Sequence, residues 1–198
     1  RYVVVLSNEE RRWAVEDRRI TGLSDSEVLI GWNTGCSNRY PYKRFTAEDT
    51  ARLIIDSWKR LPRKDAVRFA LLGGGRDDEQ RNREIASIVE SARVPIFRTP
   101  CLGGLRRGLA SVAACDMVVS GDSLGLHMAI GLKKPVVAWF GITCHQEIDV
   151  YGRGIKVLSN VGCRPCWLQS CDLEKKCYEH MPWKAMGTAV AEIATAIV

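Results

Sequence analysis

The stretch SGDSLGLHMAIG, near the middle of the chain, sets polar groups between an apolar run and a helical pattern. Asp122 and Ser123 follow the apolar run, and Gly125 and His127 lie in the predicted helix, Ser123 to Leu132. Free N–H groups at a helix N-terminus favour a phosphate, a serine hydroxyl can donate to it, and a glycine allows its close approach. The stretch therefore predicts an anion site. A structural interpretation also stays open, with Asp122 as an N-cap, Ser123 in the first turn and His127 as a core histidine.

A second candidate is NTGCSNRYPYKRF, residues 33–45, which follows another apolar run. Thr34, Gly35 and Ser37 form a turn of small residues, and Lys43 precedes a helix that Thr46 would cap. A lysine there can neutralise a phosphate as a point charge. The alternative is that Lys43 is a solvated loop charge.

The third candidate is LLGGGRDDE, residues 71–79, in which Gly73 and Gly74 follow a predicted strand. It lacks the G-x-G-x-x-G spacing of dinucleotide-binding turns. The turn therefore gives little support to a nicotinamide-type site.

A cysteine cluster comes later in the chain, with the spacing C-x2-C-x4-C-x5-C. Cys163, Cys166, Cys171 and Cys177 could surround one structural zinc ion without a catalytic role. Reduced thiols, disulfides formed in air and an iron–sulfur cluster are the alternatives that we keep open.

The elements that must position these groups alternate along the chain. The predicted strands are short, apolar runs: Glu27 to Thr34, Val67 to Gly74, Val94 to Thr99, Asp116 to Gly121, Pro135 to Gly141 and Ile155 to Asn160. Helical patterns lie between them at Thr46 to Leu61, Asp77 to Ala92 and Gly103 to Ala114, and Pro182 opens a last helix. Strands that are apolar throughout and alternate with helices indicate a parallel sheet covered on both faces. The predicted fold class is α/β, a doubly wound, Rossmann-like sheet.

Length and composition indicate one globular domain. The chain has 198 residues, of which 46% are hydrophobic and 26% charged, and no uninterrupted apolar stretch is long enough to span a bilayer. We interpret residues 1–27 as a lead-in or interdomain linker with a short capped helix, and residues 28–198 as one Rossmann-like domain, with the Cys-rich loop 163–177 and a C-terminal helix.

The charge balance favours an anionic partner. Lys and Arg number 29 against 23 Asp and Glu, a formal net charge of +6. No recognition helix or set of stacking aromatic residues accompanies this charge, so we expect no nucleic-acid partner.

Together, the three candidate stretches and CRPCWLQSCDLEKKCY, residues 163–178, resemble the C-terminal half of glycosyltransferase family 9, the heptosyltransferases of lipopolysaccharide assembly. The resemblance covers about residues 28–198. The most specific part is the Asp-Ser pair with a His five residues after the Asp, followed by a Lys-Pro strand entry. The chain departs from the family at Leu124, where a glycine is usual.

The resemblance implies a GT-B enzyme in which two Rossmann-like domains face each other and the C-terminal one holds a nucleotide-diphosphate sugar, ADP-heptose or similar. Lys43 would contact the diphosphate, and Asp122, Ser123, Gly125 and His127 would line the diphosphate and sugar site. The nucleotide base and ribose would lie near the LLGGG turn.

The implied reaction is inverting and metal-independent, so catalysis requires no cofactor. The general base would belong to an N-terminal domain missing from this chain, so we expect these residues to bind donor but turn over little. The implied acceptor is a lipid-linked glycan, and the basic surface would meet the anionic inner face of the inner membrane from the cytoplasm. The alternatives are another GT-B nucleotide-sugar enzyme such as an epimerase, and a non-enzymatic, zinc-stabilised module that binds a nucleotide or a protein.

Overall fold

The computed structural model describes residues 2–24 and 26–197, and within them the backbone forms a parallel sheet of six strands. The strands are β1 Val28–Asn33, β2 Val67–Leu72, β3 Ile96–Arg98, β4 Met117–Gly121, β5 Val136–Phe140 and β6 Gly154–Leu158. The helices are α1 Asn8–Ile20, α2 Ala47–Arg60, α3 Arg76–Ser91, α4 Gly104–Ala114, α5 Leu124–Gly131 and α6 Trp183–Ile197. Short 3-10 turns lie at Pro41–Lys43, Lys64–Ala66, His145–Glu147 and Cys177–His180.

Both faces of the sheet are covered, as the apolar strands predict. On one face a core that includes Ile54, Ile85 and Val190 packs α2, α3 and α6 against the strands. On the other face Val112 and Leu126 belong to a second core beneath α4 and α5. Every residue of β4 and β5 is buried, which explains why these strands show no alternation of polar and apolar residues.

The strand order β3-β2-β1-β4-β5-β6 places the site. The chain runs outward from β1 to β3, and then returns to place β4 on the other side of β1. In open α/β sheets a crevice forms where the order reverses, beyond the carboxyl ends of the two central strands. Here that crevice lies between the loops that follow β1 and β4.

The structure confirms the predicted fold class and the predicted elements, with boundaries that shift by up to two residues. The largest change is in the run from Val94 to Thr99, of which only Ile96–Arg98 is strand. This strand lies at the sheet edge, and Pro95 before it has no N–H for a strand ladder.

The predicted lead-in contains the expected helix. The Ser7 hydroxyl accepts from the Glu10 N–H, and the Glu10 carboxylate accepts from the Ser7 N–H, which is a capping box. The helix α1 packs against α4. The division of the chain at residue 27 stays a prediction, and the termini and position 25 lie outside the described residues.

Within residues 2–24 and 26–197, no helix is both long and apolar enough to cross a bilayer.

Candidate functional site

A cleft of about 590 Å³ opens at the carboxyl edge of the sheet. The loop after β1, the glycine-rich turn after β2, one face of α4 and the turn between β4 and α5 form its walls. The sheet order thus brings together all three stretches that the sequence analysis singled out. Eight of the predicted site residues line this cleft: Gly35, Ser37, Lys43, Gly73, Gly74, Asp122, Ser123 and Gly125.

A charged pair lines the cleft. Lys43 Nζ is 3.2 Å from Asp122 Oδ2, and the two side chains are only 17% and 9% exposed. Asp122 Oδ1 is 3.6 Å from His127 Nε2. Lys43 is therefore not a freely solvated loop charge.

The surroundings of Asp122 decide its charge. Burial raises the pKa of Asp122, but the interactions with His127 and Lys43 and the hydrogen bond from Thr143 outweigh burial and lower it to about 2. Asp122 is therefore a carboxylate at neutral pH, and it holds the Lys43 ammonium at the cleft wall.

The N-terminus of α5 opens into the same space. Ser123 is the N-cap residue, and its side chain makes no capping hydrogen bond. Instead, Ser123 Oγ accepts a hydrogen bond from Asn33 Nδ2 at 2.9 Å. The interpretation of Asp122 as an N-cap is therefore wrong, because Asp122 lies one residue earlier and pairs with Lys43.

Gly125 is needed at its position for a steric reason. A Cβ at Gly125 would lie 2.6 Å from Asn33 Cγ, closer than real contacts allow. The missing side chain lets the first turn of α5 approach the end of β1. Leu124, where the resemblance leads one to expect a glycine, is 58% exposed at the cleft.

The glycine-rich turn after β2 surrounds a carboxylate that sequence reasoning missed. Asp78, in the first turn of α3, accepts a hydrogen bond from the Gly74 N–H at 2.8 Å and lines the cleft. A Cβ at Gly35 would lie 2.1 Å from Asp78 Oδ2, so Gly35 makes room for this carboxylate. Burial raises the pKa of Asp78, while the Gly74 hydrogen bond and the charge of Arg44 oppose it.

Two predicted site residues lie outside the cleft lining. Thr34 is buried, and its hydroxyl lies 2.5 Å from Asn82 Oδ1 and 3.2 Å from the Leu72 carbonyl oxygen, so it ties the β1 loop to β2 and α3. His127 contacts Asp122, and its side chain is 43% exposed, so it is not a core histidine. Ser37 lines the cleft as predicted, and its hydroxyl accepts from the Arg39 N–H.

The four clustered cysteines lie in the loop before α6. Cys163 is exposed, Cys166 and Cys171 are half-buried, Cys177 is buried, and all four thiols are free. Burial and the neighbouring Cys166 and Cys171 raise the pKa of Cys177 to about 11. In the part of the chain that the structure describes, no three His, Cys, Asp or Glu side chains form a group that could hold a metal ion. The zinc site stays a prediction.

Comparisons with known proteins identify the family of this chain. The model of glycosyltransferase family 9 (heptosyltransferase) matches residues 37–177. The lipooligosaccharide heptosyltransferase 2 of Campylobacter jejuni is 20% identical over 176 residues, which cover 87% of this chain and 54% of that protein. This chain therefore spans about half the length of that relative.

Solved structures show the same fold. A glycosyl transferase of family 9 from Veillonella parvula matches with a TM-score of 0.71 and 22% identity, over 98% of this chain and 54% of that one. The Escherichia coli heptosyltransferase WaaC with ADP matches with a TM-score of 0.58 and 19% identity, over 90% of this chain and 47% of that one.

The family match extends over most of the chain and includes the cleft residues from Ser37 to Gly125. The chain belongs to glycosyltransferase family 9.

Proposed function

We propose that this chain is the donor-binding part of a family 9 glycosyltransferase and that its cleft holds the diphosphate of a nucleotide sugar. The observation that carries the proposal is the Lys43–Asp122 pair beside the uncapped N-terminus of α5, inside a cleft at the switch point of the sheet. A fixed ammonium and free helix N–H groups both favour a phosphate. Family membership favours a transferase over the epimerase and over the non-enzymatic module.

The proposed donor is ADP-heptose or a similar nucleotide sugar. This part of the proposal is supported by the relatives, which include a lipooligosaccharide heptosyltransferase and a heptosyltransferase with ADP. The acceptor of the whole enzyme would be a lipid-linked glycan of the cell envelope.

The cleft offers separate surroundings for the parts of such a donor. Leu105, Val112 and Met128 supply apolar surface for a base. Asp78, beside the glycine-rich turn, supplies an acceptor for ribose hydroxyl groups. The diphosphate would then lie between this turn and the Lys43–Asp122 pair.

The proposed chemistry is an inverting transfer without a metal cofactor. As the bond between the sugar and the diphosphate oxygen breaks, negative charge grows on the leaving diphosphate. Lys43 and the α5 N-terminus are fixed before the reaction, so they stabilise this charge without reorganising. An acceptor hydroxyl also needs a general base, which we assign to a further domain of the enzyme.

Hydrogen–deuterium exchange with and without ADP tests where the donor binds. We expect protection at residues 33–37, 72–75 and 122–126, which border the cleft. A second open pocket, near Arg68 and Pro95, provides an internal control and should show no change. Protection at that pocket instead of at the cleft would contradict the proposed site.

Two further parts of the proposal concern metal and membrane. We propose that the four clustered cysteines hold a structural zinc ion. Elemental analysis of protein purified without chelator should then find one zinc per chain, and this zinc should be lost when Cys163 and Cys166 are both replaced by serine.

We also propose a peripheral, cytoplasmic location, supported by the net charge of +6. Sedimentation of the protein with anionic vesicles but not with neutral vesicles would support this location. Equal sedimentation with both kinds of vesicle would contradict it.

A further inference from the structure

The segment before the first strand contacts α4 and α5, two of the helices that border the cleft. We call residues 2–20 the lead-in segment. Its Val4 N–H donates to the Gly131 carbonyl at the end of α5, at 3.0 Å. A Cβ at Gly131 would lie 2.5 Å from Val4 Cγ2, so the Val4 side chain packs directly against the Gly131 backbone. The lead-in segment is therefore seated directly on α5.

Buried charges fix the same segment to α4. Glu10 and Asp17 of α1 are buried, and they pair with Arg106 and Arg107 of α4. The hydroxyl of Ser111, which also lines the cleft, donates to Asp17 Oδ2 at 2.7 Å. Separating these helices would break both charge pairs of the buried carboxylates. The lead-in segment is therefore held in a defined position relative to the cleft.

Tyr2 connects this segment to the charged pair. Tyr2 Oη is 3.3 Å from His127 Nδ1, and the opposite ring nitrogen of His127 is 3.6 Å from Asp122 Oδ1. Asp122 Oδ2 is in turn 3.2 Å from Lys43 Nζ. Tyr2, His127, Asp122 and Lys43 thus form a continuous polar chain that ends in the cleft.

The chemistry of these four side chains gives the polar chain a direction. Burial, together with the nearby Tyr151, raises the pKa of Tyr2, so its hydroxyl keeps its proton. When that hydroxyl donates to Nδ1 of a neutral imidazole, the ring proton must be on Nε2, the nitrogen that lies 3.6 Å from Asp122 Oδ1. The hydrogen bond to Nδ1 therefore determines whether Nε2, the nitrogen near the Asp122 carboxylate, carries the ring proton.

We propose that Tyr2 is a positioning residue for the cleft. By donating to His127 Nδ1, it keeps the His127 tautomer that supports Asp122, and Asp122 fixes the Lys43 ammonium. The effect on nucleoside diphosphate binding rests on the proposed function, whereas the effect on His127 does not. The lead-in segment then contributes to the site, because its Tyr2 positions His127.

The test is Tyr2→Phe, which keeps the ring against Gly131 and removes only the hydroxyl. The first measurement is ¹⁵N NMR of the histidine side chains at about pH 8.5, above the ordinary range of a histidine pKa. In the parent chain we expect His127 with its proton on Nε2, and in Tyr2→Phe a mixture of the two tautomers. The second measurement is the Kd for ADP, which we expect to weaken about 3- to 10-fold, about 0.7 to 1.4 kcal/mol.

A matched control is Glu16→Gln, which weakens a surface pair with Arg19 on α1 and should change neither measurement. An unchanged His127 tautomer in Tyr2→Phe would overturn the proposal. A changed tautomer with unchanged ADP affinity would also overturn it, because positioning would then have no effect on the site. If the tautomer changes in Tyr2→Phe but the parent protein binds no ADP at all, the result would support the polar chain from Tyr2 to Lys43 and would contradict the proposed function instead.

Discussion

Within residues 2–24 and 26–197, Lys43 is the one lysine or arginine that forms an ion pair with Asp122. Replacing Lys43 with alanine removes that positive charge. We expect the variant to keep the fold of the sheet, because Lys43 lies in a short 3-10 turn and not in a strand. Asp122 keeps its contact with His127. The main loss is therefore positive charge at the place where we propose that the diphosphate binds.

The size of the effect follows from the geometry. Two unit charges 3.2 Å apart attract each other by about 5 kcal/mol at an effective dielectric constant of about 20. A phosphate at a similar distance would gain a comparable attraction, but it must share the ammonium with Asp122 and give up its own hydration. The net value of such a charge-assisted contact is about 1 to 3 kcal/mol. Lys43→Ala should therefore weaken ADP binding by about 5- to 150-fold.

Isothermal titration calorimetry with ADP measures this change, and two variants serve as controls. Lys43→Arg keeps the charge and should retain more affinity than Lys43→Ala. Lys59→Ala removes an exposed lysine at the end of α2, and its affinity should match that of the parent chain. Equal affinity in Lys43→Ala and Lys59→Ala would refute the placement of the diphosphate beside Lys43.

Further variants test other parts of the site. Ser123→Ala should weaken ADP binding by about 1 to 3 kcal/mol in calorimetry, because Ser123 lines the cleft at the N-terminus of α5, whereas Ser91→Ala on the surface of α3 should have no effect. Gly35→Ala should lower the free energy of unfolding by about 1 to 3 kcal/mol in urea titrations, because its Cβ would collide with Asp78, while Gly162→Ala, with nothing within 4 Å, should not. The pKa of Asp122 is lowered to about 2 in the folded chain, so its stabilising effect is complete above about pH 4 and is lost as the pH falls towards 2. The stability difference between the parent chain and Asp122→Asn should therefore shrink between pH 6 and pH 3, and a constant difference would contradict the lowered pKa.

The sheet and the location of the cleft were predictable because buried parallel strands have a strong sequence pattern. Runs such as that of β4 are apolar on both faces, and the helices between them demand crossovers. The carboxyl ends of parallel strands lie at one edge, so the polar groups that follow them share that edge. The pairing of Lys43 with Asp122 follows only from the order of the strands, which puts β1 beside β4.

The residues that sequence reasoning missed or misplaced have local causes. Thr34 follows directly on Asn33, and neighbouring residues of an extended chain point to opposite sides, so Asn33 faces Ser123 while Thr34 faces Asn82. Asp78 lies within the acidic run 77–79, and only the phase of α3 determines which of these carboxylates meets Gly74.

The lead-in segment shows a further limit. Its capping box is local and was predicted, but its packing depends on distant partners. Glu10 and Asp17 belong to a helix of polar appearance, and they are buried only because Arg106 and Arg107 lie opposite them. Helical periodicity alone gives no sign of such long-range pairs.

The most direct test of the account is a calorimetric titration of this chain with ADP, UDP, GDP and CDP, followed by the matching heptose, hexose and N-acetylhexosamine donors. We predict preferential binding of one diphosphate, ADP, strengthened when its heptose is attached and weakened by Lys43→Ala. Equal binding of all four diphosphates, with no gain from any sugar and no effect of Lys43→Ala, would contradict the claim that this cleft holds a nucleotide-sugar donor.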